Sequence, residues 1–473
     1  MRKGESACVP YDNDVINQRR RRQARGEGNI LASYQPLIAT LVGIAALLLI
    51  ILRFRVPAFI ALLLAALLAG LLAGLPPAEV LGAVQDGAGG VLGFIALVVG
   101  LGALLSAFLE AGGGAKALAQ SLIGNRSAGS ARYAMGGVGV LIAIPVFFDV
   151  GLILLFPLVK AMARKARRPA LLFGLPLLAG LAAGHAFIPP TPGPVAVAEI
   201  LGADIGLVIL CGLAAGIPAT LVAGPLYAGW AEKRGWLGKP EAADDSMRES
   251  AVFDAGLAKR ALLTVLVPIV LIITAALHRG EGTLGAAIDF LGHPVVALIV
   301  ACAVAAWLLR PADEAGKVAL SAALAKAFEP TAAIILVTGA GGAFKQVLVD
   351  SGAGAMMAEQ ALAAGIAPLA AGFVLAALTR VAQGSATVAM LTAAGLVAPI
   401  AEAAGMQGME LALVVIAIAS GASIISHVND SGFWLVSRYF EVDTAQTLRT
   451  WTVTSTLVGV TGFTVALALS LFV

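Results

Sequence analysis

Apolar runs of roughly 17–25 residues, long enough to cross a bilayer, recur along this chain. They fall near 36–52, 56–75, 91–110, 170–189 and 205–230, and again near 262–278, 294–309, 331–349, 411–427 and 448–471. Two further apolar stretches, 133–160 and 368–400, are long but interrupted. The first breaks at Pro145-Val-Phe-Phe-Asp149-Val-Gly151, the second at Arg380-Val-Ala-Gln383-Gly384-Ser385-Ala-Thr387. Each break predicts two half-length helices, too short to cross singly. Both stretches therefore read as re-entrant hairpins with polar tips in mid-membrane.

The two series read as copies of one unit, displaced by about 240 positions. The run from Gly102 to Gly114 returns from Gly342 to Gly354, with Glu110 answering to Asp350. Gly193 matches Gly432, and Leu201-Gly-Ala-Asp204 matches Phe440-Glu-Val-Asp443. The chain divides into a polar tail 1–33, a first repeat 34–231, a cytoplasmic linker 232–260 and a second repeat 261–473. Five crossings in each repeat, an odd number, force the second to enter the membrane upside down. The expectation is an all-α polytopic membrane protein of two inverted-topology repeats, each with a re-entrant hairpin and a broken helix.

Composition agrees with a bilayer home. Hydrophobic residues make up 59% of the chain and charged residues 12%, where a soluble domain carries about a quarter charged. Mean hydropathy is +0.94. A net charge of +3 suggests no nucleic-acid partner, and three scattered cysteines suggest neither a disulfide framework nor a metal site. Arg19-Arg-Arg-Arg22 in the tail resembles the basic region of a signal peptide, but no small-residue cleavage site follows. The tail reads as disordered, or as the product of a misassigned start codon.

The basic residues set an orientation. With the first span entering from outside, most of the chain's 31 lysines and arginines collect on the inner side. They include Arg53 and Arg55, the group Lys160 to Arg168, Lys233 and Arg234, Arg310, Arg438 and Arg449. The positive-inside rule favours this topology, and Trp230, Trp307 and Trp451 then fall near the inner interface.

Backbone stripped of helical partners survives at membrane depth only when buried in protein or lining a wet cavity. Beside the two hairpin tips, two helix interruptions need this treatment: His185-Ala-Phe-Ile-Pro-Pro190-Thr191-Pro-Gly193-Pro194 and Ser426-His427-Val-Asn429-Asp430-Ser431-Gly432. They occupy matching places in the two copies. Prolines break the ladder, and each broken helix exposes a positive N-terminal end suited to an anion.

Candidate roles follow from residue chemistry. Asp149 lies among Phe147, Phe148 and Val150, where an ionised carboxylate costs ~2.5–3.5 kcal/mol. It is a candidate proton carrier, or else a permanent partner for Arg380. The planar fork of Arg380 suits two-point contact with a carboxylate substrate. Gln383, Ser385 and Thr387 could reach substrate hydroxyls beside Gly384, or satisfy their own helices. His185 and His427 flank the interruptions and could carry protons, or could be bonded within the packing. Asn429, Asp430, Ser431 and Gly432 in the second break, and Pro190, Thr191 and Gly193 in the first, complete the candidate binding set. No ligand spacing supports a metal, and no cofactor fingerprint or nucleophile–base pair points to an enzyme. A channel would show a continuous polar stripe, whereas polarity here clusters at four mid-depth breaks.

At these motifs the chain resembles the gluconate permease family. The stretches that carry the resemblance run from Gly184 to Pro194, Leu201 to Asp204, Arg380 to Ala389, Ser426 to Trp434 and Thr447 to Thr452. It covers the chain from about residue 34 to the end. The resemblance implies proton-coupled symport of gluconate or a related hydroxy acid across a bacterial inner membrane. It also implies membership of a wider ion transporter superfamily, often homodimeric, in which a transport domain moves by an elevator motion. The tips at Asp149 and at Gln383–Thr387, with the Pro190–Gly193 and Asn429–Gly432 breaks, would then face the substrate. Some members have histidine where this chain has Thr191, a departure that touches the substrate or the proton route. Sodium coupling, or a D-serine-type cargo, remains open on this reading.

Overall fold

Helix boundaries in this protein follow prolines, glycines and capping aspartates more than the edges of the apolar runs. The structure is a computed structural model that describes residues 34–54, 56–123, 127–241, 254–278, 282–311, 313–354, 356, 359–360 and 367–473. Every regular element among them is a helix. The first half contains α1 (Gln35–Phe54), α2 (Ala58–Leu72), α3 (Pro77–Ala111), α4 (Gly114–Ile123), α5 (Ala128–Ala143), α6 (Phe148–Ala166), α7 (Leu171–Phe187), α8 (Pro192–Leu201) and α9 (Ile205–Lys233). The second contains α10 (Ala255–Leu277), α11 (Thr283–Gly292), α12 (Pro294–Leu308), α13 (Glu314–Lys326) and α14 (Glu329–Asp350). It closes with α15 (Pro368–Gln383), α16 (Ala386–Ala403), α17 (Met409–Ser423), α18 (Ser431–Tyr439) and α19 (Thr444–Ser470). The tail 1–33 and linker residues 242–253 lie outside the described residues.

Among the described residues seven helices, or eight with the pair α11 and α12 bent by 69°, are long and apolar enough to cross a bilayer. The chain is a multi-pass membrane protein. Several boundaries differ from the sequence expectation. α3 has 35 residues, because Glu79, Gln85 and Asp86 sit in its first turns and hid them from an apolar-run reading. α13 extends the expected span 331–349 toward its N-terminus for the same reason, carrying Glu314, Lys317 and Lys326. The expected linker 232–260 is shortened at both ends, since α9 runs to Lys233 and α10 starts at Ala255, capped by Asp254. The hairpin arms are also longer than half a span, 16 and 19 residues for α5 and α6, 16 and 18 for α15 and α16, and α16, expected to be too short to cross singly, is itself one of the seven. In α6 the excess is the basic end from Lys160, which leaves an apolar stretch well short of the ~30 Å hydrocarbon core.

Some local contacts recur at positions that the sequence expectation pairs. Asp204 caps α9 by accepting from the Leu207 amide at 2.8 Å, and Asp443 caps α19 by accepting from the Gln446 amide at 2.7 Å. Ser106 donates to Glu110 and Gln346 donates to Asp350, both one helical turn apart. α7 and α17, which the sequence expectation also pairs, are buried on almost every side. Each is apolar all round, as a central helix must be, and each ends at one of the two breaks. Their neighbours approach to backbone distance: a Cβ on Gly180 of α7 would lie 2.2 Å from the Gly136 carbonyl of α5, and one on Gly421 of α17 would lie 2.1 Å from the Phe373 carbonyl of α15. Small residues permit such close helix pairing in apolar surroundings.

Contacts also gather the loops that the charge pattern assigns to one side. Lys160 pairs with Glu241 at 3.2 Å and Glu441 at 3.3 Å, and Arg168 pairs with Glu232 at 2.7 Å. The first hairpin is therefore rooted at that end of the molecule. At α16's C-terminal end Glu402 shares the field of Lys345, whose ammonium donates to the Ile200 carbonyl closing α8 at 2.6 Å.

Candidate functional site

Four helices begin around one cavity of about 370 Å³. Phe148 and Asp149 open α6, Gly193 lies in the first turn of α8, Ala386 and Thr387 open α16, and Ser431 and Gly432 open α18; all seven line it. The first amides of a helix have no partner within it, so four positive ends converge on one volume. Two of these ends, at the breaks, were expected from the sequence. The hairpin tips add the other two.

One buried network forms the floor. Arg380, at the C-terminal turn of α15, is 5% exposed and Asp430 8%. Nη2 of Arg380 donates to Asp430 Oδ2, and Nη1 donates to the Gly384 carbonyl at the hairpin tip. Asp430 also accepts from Ser426 Oγ, and its Oδ1 accepts from the Gly432 amide at 3.0 Å, capping α18. Ser426 in turn accepts from Trp451 Nε1 at 2.6 Å. Trp451 lies in a π-helical turn, Leu448–Thr452, within α19, and its ring packs on Phe148 at 5.3 Å. The Nε of Arg380 meets no acceptor.

Three sequence expectations are corrected here. Asp149 is not Arg380's partner: Asp430 is, because capping α18 places its carboxylate beside the tip where Arg380 folds back. Nor is Asp149 sealed among phenylalanines. It is an exposed residue on the cavity wall. The free guanidinium fork expected for a substrate is instead closed on groups of the protein itself.

The hairpin tip seats directly on the second break. Gly384 has φ of 83°, and a Cβ there would lie 2.2 Å from the Asn429 carbonyl oxygen. Asn429 Nδ2 donates to the Val381 carbonyl at 2.9 Å, satisfying the frayed end of α15. Ser385 Oγ accepts from the Val388 amide at 3.3 Å as the cap of α16. Gln383 lines the cavity with its Nε2 unpartnered, and Thr387 lines it alongside.

Three expected residues lie elsewhere. Pro190 and Thr191 line a much smaller adjoining cavity, with Gly102, Pro145 and Phe147. Thr191 is turned inward on its own backbone, donating to the Ile188 carbonyl at 2.7 Å. His427 lies outside the main cavity, its Nδ1 3.0 Å from the Ile425 carbonyl oxygen. His185 borders both cavities and its Nδ1 has no partner. Trp451 is a further correction: expected at the membrane interface, it is 3% exposed and lines the site, while Trp230 and Trp307 are 44% and 79% exposed. Ser426, Ser455, Met390 and Phe148 are site residues that the sequence reading left unassigned. Ser426 and Trp451 did fall in quoted motifs, but nothing in spacing brings together positions 25 residues apart. Among the described residues no group of three or more histidines, cysteines or carboxylates gathers as for a metal ion.

Residues 35–472 match the family described as GntP family permease. The chain belongs to that family. It is 39% identical over 444 residues to a gluconate permease of Pseudomonas aeruginosa, covering 92% of this chain and 97% of that protein. It is 38% identical over 429 residues to the low-affinity gluconate transporter of Escherichia coli, covering 90% and 96%. Among solved structures, MtrF of Neisseria gonorrhoeae superimposes with a TM-score of 0.62 at 15% identity, covering 86% of this chain and 93% of that one. This GntP permease is thus a transporter, not an enzyme, on an all-helical fold shared with a distant transport protein.

Proposed function

We propose that this GntP permease imports gluconate or a closely related sugar acid across a bacterial inner membrane, coupled to protons. The observation that carries the reading is the convergence of four helix N-termini on a cavity that also holds Arg380 and the hydroxyls and amides of Gln383, Ser385, Thr387 and Asn429. Helix N-termini hold the carboxylate, and the remaining polar groups suit the hydroxyls of a short polyol chain. The volume lies in the range of small-ligand sites, ~300–1,000 Å³. The names of the relatives at 38–39% identity point to the same cargo.

Charge argues for a coupling cation. Arg380 and Asp430 neutralise each other, and Asp149 faces the cavity with no basic partner among the described residues. A bound anion entering the cell also works against a negative interior, at ~2.3 kcal/mol per charge per 100 mV. A proton on Asp149 or a nearby group removes both obstacles. The opposite rooting of the two hairpins, one beside Glu241 and the other beside Lys345, supports inverted repeats. Two hairpins and two broken helices meeting at one site then form the moving body of an elevator, with α3 and α14 packed on each other beside it, in a homodimer.

The test is uptake of labelled gluconate into vesicles of purified protein under an imposed pH gradient. Saturable uptake that follows the gradient, collapses with a protonophore and is competed by idonate is the expected result. Uptake that follows a sodium gradient at constant pH, or that is competed only by D-serine, overturns it.

A further inference from the structure

Asp430 and its setting suggest how the proton and the acid are tied together. The inference rests on the reading of this site as a binder of carboxylates. A carboxylate of the protein itself sits where an acidic cargo would be expected: on the Arg380 guanidinium and at the N-terminus of α18. Asp430 and Arg380 both line the cavity, and both are at least nine-tenths buried. Arg380 is nevertheless under-satisfied, its Nε meeting no acceptor.

We propose that Asp430 is an internal stand-in for the cargo's carboxylate, and that cargo displaces it from Arg380 only as Asp430 takes up a proton. The step balances simply. The cargo carboxylate replaces the Asp430 carboxylate on Arg380, and one proton from the same side of the membrane converts Asp430 to the neutral acid. An unpaired carboxylate at that depth is costly, whereas a neutral carboxyl needs only hydrogen bonds. Those bonds are at hand, since the Gly432 amide and Ser426 Oγ remain beside it. Before and after, the exchange site holds one positive and one negative charge, so empty and loaded forms cross the membrane with equal charge. Release on the far side reverses the exchange.

The surroundings favour Asp430 for this part. Arg380 of α15, Asp149 of α6 and His185 of α7 share its cavity, to which α8 and α16 contribute Gly193 and Met390. Ser426 and the α19 residue Trp451 behind it bear no proton that titrates near neutrality. His427, on Asp430's own break, turns to the Ile425 carbonyl. Asp149 carries the same sign as an incoming acid and makes a second free carboxylate still less favourable. The matching position in the first repeat is Thr191, so only one break can make the exchange.

Calorimetry of the purified full-length protein with gluconate, in buffers of different ionisation enthalpy, tests it. Wild type should take up one proton per acid bound, with affinity falling as pH rises and approaching tenfold per pH unit. Asp430→Asn keeps the helix cap but needs no proton; it should bind with none taken up and a flat pH profile. Asp149→Asn should keep a pH-dependent affinity. Proton uptake by Asp430→Asn equal to wild type overturns the proposal. If that variant does not fold, infrared difference spectra of wild type decide: gluconate should raise the carbonyl stretch of a neutral carboxylic acid, and its absence overturns the exchange. Wild type binding gluconate without proton uptake overturns this inference and leaves the cargo reading standing. Wild type binding no carboxylate removes the cargo reading and this inference with it.

Discussion

The two helix breaks, which the sequence expectation pairs, solve the same problem in opposite ways. In the first, between α7 and α8, prolines at 189, 190, 192 and 194 delete amide donors, and Thr191 satisfies the Ile188 carbonyl from within the segment. That break closes on itself and is buried. In the second, between α17 and α18, no proline occurs from Ile424 to Asp430, so the donors remain and partners must come from elsewhere. α19 supplies them: Thr456 Oγ1 accepts from the Ile425 amide at 3.1 Å, Ser455 Oγ accepts from the Ser426 amide at 3.2 Å, and Thr452 donates to the Ser426 carbonyl. Removing donors leaves a joint that satisfies itself. Importing acceptors leaves a polar one, and the ion pair lies there.

The sharpest way to break this comparison is to remove the ion pair. Asp430→Ala strands the Arg380 guanidinium in a buried site and should cost about 3–5 kcal/mol, read as a large fall in thermal unfolding midpoint. Gly384→Ala should follow at about 2–4 kcal/mol, since its φ suits glycine and its Cβ would strike the Asn429 carbonyl. Loss of uptake should accompany that fall, because tip and break could no longer seat together. Trp451→Phe keeps the contact with Phe148 but loses the hydrogen bond to Ser426, worth about 1 kcal/mol, and should slow uptake several-fold. Thr191→Ala removes one local bond from the self-contained break and should cost about 1 kcal/mol or less. Were it to cost as much as Asp430→Ala, the asymmetry drawn here would be wrong. Smallest of all, His427→Ala should leave the pH profile of uptake unmoved, since its ring points away from the cavity.

Several features of the site were legible because they are local. Gly384 and the prolines mark breaks through backbone geometry alone, and Asp204 and Asp443 announce helix starts that the structure shows capped. Arg380, Gln383, Asn429 and Asp430 stood out because polar groups in an apolar run must face something wet. Choosing partners was another matter. Arg380 could have met Asp149 or Asp430, which lie 231 positions before it and 50 after, and nothing in the residue types prefers either. The extra turns of α3 and α13 were hidden for a related reason: polar residues end an apolar run without ending a helix.

What the sequence by itself determined is where the chain breaks and needs a bilayer, because those depend on proline, glycine and the spacing of apolar residues along one strand of chain. What only the tertiary structure decided is which break carries the charge: Asp430 meets Arg380, and Trp451 leaves the interface for the cavity. Pairing depends on distance in space, and a buried ion holds whichever counter-charge the surrounding packing brings within hydrogen-bond reach.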